Sequence, residues 1–136
     1  MLGTNESWVT IIYADSYFNK KYGASFWALL SLEEKEQLAV TSKNFILSMG
    51  YNIADDNTTD NVKKAQCETI QFIFEYYEQW KKRANLTASG VTNFSVLNFS
   101  ESLSGQTLPI YIKNLIADYF NNNSTQIGVI EREINS

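Results

Sequence analysis

The sequence predicts a mainly α-helical fold: a bundle of four helices, a short β-strand or hairpin excursion between the third and fourth, and an extended C-terminal arm. Three observations predict it. Ser31-Leu32-Glu33-Glu34 is a capping box, in which Ser31 and Glu34 satisfy each other's backbone N–H groups and start a helix. Residues 61–85 carry apolar side chains around most of a helical circumference, as the middle helix of a bundle does. From Gly90 to Gly105 the period changes from helical to extended, in a run too apolar for a surface loop and too short for a sheet of its own.

Helix one begins with Thr10 as N-cap, places Tyr13, Ala14, Tyr17 and Phe18 on one face, and stops by Gly23. Residues 25–30 form a compact apolar turn. Helix two follows the capping box with Leu38, Ala39, Ser42, Phe45, Ile46 and Met49 at three-and-four spacing, and Gly50 ends it in a left-handed cap. The polar loop 54–60 lacks the glycine and terminal glutamate of a calcium loop, so it reads as a helix entry rather than a metal site. Helix three carries Val62, Ala65, Thr69, Phe72, Ile73, Tyr76 and Trp80 on one side, widened by Ile70, Phe74 and Tyr77. Glu68, Glu75 and Glu78 sit among these aromatics; their helical spacing reads as a solvated stripe in preference to a catalytic acid–base pair.

After Gly90, Phe94 and Val96 point one way and Leu97 and Phe99 the other, so the run needs a neighbour on both faces or a bulge near Val96. The neighbour is either the Trp8-Val9 stretch or another chain. Val91, Phe94, Val96, Leu97, Phe99 and Leu103 are therefore the candidate subunit-interface residues. Helix four starts at Thr107-Leu108-Pro109, presents Ile112, Leu115, Ile116, Tyr119 and Phe120, and ends at Asn121-Asn122-Asn123. Residues 1–123 thus make one domain with its excursion at 90–105. Residues 124–136 form an arm in which Ile127, Val129, Ile130 and Ile134 are candidate partner-docking residues.

A chain of 136 residues with 44% apolar and 14% aromatic content suits one folded domain. Its net charge of −4 repels nucleic-acid phosphates. The dense basic cluster Lys81-Lys82-Arg83 falls at a helix end, where it complements the helix dipole; Lys20-Lys21 and Lys63-Lys64 read as separate pairs. The single cysteine, Cys67, excludes an internal disulfide and reads as a buried thiol. Histidine is absent, and neither a metal-ligand cluster, a phosphate-cradling glycine loop nor a nucleophile with an evident base is present, so no enzyme, metal or cofactor is expected. No window has the roughly 18 predominantly apolar residues of a membrane span. Asn-x-Ser/Thr triplets such as Asn93-Phe94-Ser95 follow from an Asn-rich composition.

Trp8-Val9-Thr10 leading to Ala14-Asp15-Ser16-Tyr17-Phe18, the Gly23 to Trp27 turn, and Leu30-Ser31-Leu32-Glu33-Glu34-Lys35 resemble the N-terminal half of tailed-phage head-to-tail connector proteins often labelled DnaT-like. Val62 to Glu68, Arg83 to Val96, and Phe99-Ser100-Glu101-Ser102-Leu103-Ser104-Gly105 are similar to the helix, strand and glycine turn of the same family. The likeness covers most of residues 8–120 and rests on order and spacing, with no catalytic signature; Tyr13 stands where the family tends to have an acid. The resemblance implies a structural virion adaptor, made in the bacterial cytoplasm. About twelve copies would form a ring between the portal and the next neck or tail component, around the DNA channel. It implies the portal protein, a downstream neck or tail protein and the chain itself as partners, with genomic DNA passing without sequence-specific binding. An acidic wall fits such a channel, because it lets DNA slide. The alternative is a DnaT-like single-stranded DNA-binding protein or another oligomeric assembly module, in which Phe94, Phe99, Trp80 and Tyr77 would stack bases. It requires a basic groove that the sequence does not display.

Overall fold

The computed structural model describes residues 2–88 and 98–120. These hold five α-helices: α1 (Ile11–Asn19), α2 (Leu32–Ser48), α3 (Asp60–Ala88), α4 (Phe99–Ser104) and α5 (Ile110–Leu115). Two 3-10 turns, Ser25–Leu29 and Ala117–Tyr119, complete the elements, and there is no strand among the described residues.

The helix starts follow local chemistry. Thr10 Oγ1 accepts from the Tyr13 N–H at 3.0 Å and caps α1. At α2 both halves of the capping box form: the Glu34 N–H donates to Ser31 Oγ at 3.1 Å and the Ser31 N–H to Glu34 Oε1 at 2.9 Å. Beyond its last turn Gly50 takes φ +97°, which an L side chain resists, and a Cβ there would meet the Phe120 ring at 3.3 Å. That close approach lets Tyr51 form an antiparallel bridge with Phe120, while the Asn52 N–H donates to the Tyr119 carbonyl at 2.8 Å.

Helix α3 is the centre, as its apolar circumference predicts, and it separates two packed clusters. On one side Val62, Ala65 and Ile73 join Trp8, Phe45, Ile46, Ile112 and Ile116. On the other, Cys67 and Ile70 join Val9, Ala14, Phe18 and Trp27. Gln66, fully buried between them, ties the N-terminal segment down. Its Oε1 accepts the Trp8 and Val9 N–H groups at 2.9 and 3.1 Å, and its Nε2 reaches the Ala39 carbonyl and Ser7 Oγ, each at 2.9 Å. A second clasp is Lys43, only 2% exposed. Its ammonium donates to the Asn5 carbonyl at 2.6 Å, pairs with Asp55 at 2.8 Å, and lies 5.1 Å from the centre of the Trp8 ring.

Four expectations are corrected. The Trp8-Val9 backbone meets the Gln66 side chain, so it completes no strand. The tail of the expected extended run, Phe99–Ser104, is helical, because Asn98 and Glu101 form a second capping box: the Glu101 N–H donates to Asn98 Oδ1 at 2.9 Å and the Asn98 N–H to Glu101 Oε1 at 3.3 Å. The expected fourth helix is interrupted at Ile116 and continues as a 3-10 turn, which turns Tyr119 and Phe120 back toward the end of α2. Glu68 is not part of a solvated stripe: it is 8% exposed and engaged by α1.

Candidate assembly surface

From Phe74 to Arg83 no residue of α3 is buried. This half of the helix nevertheless carries Phe74, Tyr76, Tyr77 and Trp80, and α4 supplies a fifth ring. Phe99, the first residue of α4, meets Tyr77 edge-on with centroids 4.9 Å apart and Trp80 at 5.6 Å; Tyr77 and Trp80 stack at 5.8 Å. The second capping box sets where α4 starts and so where this ring stands. The Tyr76 hydroxyl donates to the Ser102 carbonyl at 3.3 Å and holds α4 to α3.

Between α2 and this cluster lies a groove of about 290 Å³, with Leu30, Leu38, Ile73, Phe74, Tyr77 and Phe99 as its apolar lining and Glu34, Glu78 and Lys81 on its rim. Lys81 pairs with Glu78 at 2.9 Å and lies 4.9 Å from the Tyr77 ring centre. Leu29 and Leu32, on either side of Leu30 and Ser31 in the chain, are 86% and 60% exposed. Phe99, expected at a subunit interface, is a half-exposed member of an aromatic surface. Leu103 is not: it is 6% exposed and packs in the core of its own chain, because α4 is a helix whose inner face turns it toward α3. Val91, Phe94, Val96 and Leu97, with Ile127, Val129, Ile130 and Ile134 of the arm, lie outside the described residues.

A second face gathers residues that the sequence separates. The packing of α1 on the first half of α3 brings Lys20-Lys21 and Lys63-Lys64 around a stacked Tyr13–Tyr17 pair, centroids 6.4 Å apart. Lys63 lies 5.3 Å from the centre of the Tyr13 ring, whose hydroxyl donates to Asp60 at 3.3 Å; Asp60 also pairs with Lys64 at 3.3 Å. Tyr17 donates its hydroxyl to Glu68, which takes Lys21 at 2.7 Å. Tyr13, Ser16, Tyr17, Lys20, Lys21 and Glu68 line a pocket of about 450 Å³. Burial and then the Asp60 charge push the Tyr13 hydroxyl up to about 12; burial and Glu68 drive Tyr17 higher still. The pairs read separately in the sequence are one patch in the fold.

Cys67 is fully buried, and desolvation pushes its thiol up to about 12, which keeps it protonated and unreactive. Among the described residues no three His, Cys, Asp or Glu side chains are grouped to hold a metal ion, and no helix is long and apolar enough to cross a membrane. Asp55 of the acidic loop serves Lys43. No family model, curated protein or solved structure matches the chain.

Proposed function

We propose that the chain is a structural virion protein, a head-to-tail connector of which about twelve copies form a ring between the portal and the next neck or tail component. The observation that supports this reading is the aromatic cluster of Tyr77, Trp80 and Phe99 beside an apolar groove, on a stretch of α3 in which no residue from Phe74 to Arg83 is buried. Tyr77 is 38% exposed and Trp80 and Phe99 are partly exposed, apolar surface of the kind that marks a protein contact. A ring gains a heterologous contact, one face of a copy meeting a different face of the next. Residues 89–98 link α3 to Phe99 in the chain, so Val91, Phe94, Val96 and Leu97 are assigned with Phe99 to the proposed seam. Ile127, Val129, Ile130 and Ile134 are the proposed portal-docking residues.

The test is the native mass of the chain alone and with a portal ring. Wild type should form a closed ring in at least one of the two conditions. Phe94→Ser with Phe99→Ser should abolish it while helicity is retained; loss of helicity in that variant would remove the interface role. Deleting residues 124–136 should impair docking on the portal and leave thermal unfolding unchanged, and undiminished docking would refute the arm's part.

A further inference from the structure

We infer that the lysine–tyrosine face formed by α1 and the start of α3 is a weak contact surface for the phosphodiester backbone of nucleic acid. The chemistry is argued from the face alone; only its setting, a channel through which DNA passes, rests on the connector reading.

The charge is the first reason. Lys20, Lys21, Lys63 and Lys64 share the face with two carboxylates, Asp60 and Glu68. This leaves the face at +2 and, in a chain of net −4, the remainder at −6. Cations concentrated on one side of an acidic molecule are the electrostatic footprint of an anion-facing surface.

The availability of the charge is the second. Lys21 is held by Glu68 and Gln71, and Lys64 by Asp60. Lys20 is exposed at the pocket mouth, and Lys63 rests on an aromatic ring, a contact that orients the ammonium without neutralising it.

The aromatic component is the third, and it favours nucleic acid over an acidic peptide. Tyr22, which follows Lys20-Lys21 in the chain and shares with Lys21 the neighbouring pocket that holds Asp15 and Lys35, is completely exposed, in keeping with a ring free to stack on a base or lie against a sugar. An acidic peptide would need the cations but not the ring. The magnitudes keep the contact weak: with about two lysines, Lys20 and Lys63, meeting phosphates, the logarithm of affinity should fall with the logarithm of salt at a slope of about −1.4 on a single strand. Acidic surroundings lower affinity further. Binding is therefore a low-salt property that fades at physiological ionic strength, as suits a surface DNA must slide across.

The experiment is fluorescence anisotropy of the full chain with a labelled oligothymidylate of about 12 nucleotides, and with a duplex of the same length, in about 20 mM salt. Wild type should bind at least one probe with the stated salt slope. Lys20→Glu with Lys63→Glu, at positions with no hydrogen bond to the core, should weaken it at least about tenfold with helicity unchanged. No binding at low salt, or equal binding by that variant, would overturn the inference. A labelled polyglutamate bound as tightly as the oligonucleotides would assign the face to an acidic protein surface and overturn it as well. Native mass read on the same samples separates the two ideas: DNA binding by a chain that never forms rings sinks the connector reading alone, and rings without DNA binding sink this one alone.

Discussion

The two halves of α3 share one helix and do different work. From Ala65 to Ile70 every residue is buried, including the polar Gln66, Glu68 and Thr69, each with a hydrogen-bond partner. From Phe74 to Arg83 none is buried, although aromatic rings abound. Polarity therefore does not decide burial along this helix; the available partners do. Where α1, α2 and the N-terminal segment close over α3, even an amide and a carboxylate are accommodated, because their hydrogen bonds are met. Along Phe74 to Arg83 the start of α2 and α4 flank the helix without closing over it, and rings such as Tyr77 stay partly exposed.

The sharpest way to break this contrast is Gln66→Leu. It would leave the buried Trp8 N–H without an acceptor and the Val9 N–H with Ser7 Oγ alone, at a cost of about 1–3 kcal/mol in denaturant unfolding. A loss below about 1 kcal/mol would mean that the first half is held by packing alone.

Alkaline pH probes the same half. Tyr13 has an ordinary value of 10.0 and a folded value of about 12. Its neutral form is favoured by folding, so its contribution is intact below pH 10 and is lost as pH rises from 10 to 12. Tyr17 and Cys67 are raised by the same cause, burial, and add to the fall. Tyrosinate absorbance against pH, followed beside helicity, should show ionisation and unfolding together. Tyr13→Phe should weaken the decline.

Tyr77→Ser in the second half should change stability by only about 1 kcal/mol, the scale of an aromatic pair, while ring assembly falls away in native mass. Smallest of all, Glu78→Gln breaks an exposed pair with Lys81 and should leave the unfolding midpoint almost unchanged.

Local signals in the sequence identified what is local in the structure. Thr10, the Ser31–Glu34 box and Gly50 mark helix ends through bonds within a few residues, and each does so in the fold. The Asn98–Glu101 box carries the same signature and was equally legible, but alternating apolar residues before it suggested an extended run. Capping chemistry is the better guide there, because it fixes backbone groups directly. Gln66 could not be singled out, since its partners lie 57 and 58 residues away. The lysine face was hidden for the same reason: its two halves meet only through the packing of α1 on α3. The groove at Phe99 was half visible, as a surplus of aromatic rings whose destination the sequence alone left open.

The single cysteine has a practical consequence. Cys67 sits at the junction of α3 with the α1 cluster and is sealed from solvent, so a thiol reagent can reach it only when that packing opens. Its labelling rate is a built-in clock for opening of the native chain, with no probe to be introduced. In a ring whose seams lie at the far end of α3, that clock should run at the same pace before and after assembly. A slower clock in the ring would reveal that joining copies at one end of the helix tightens the other.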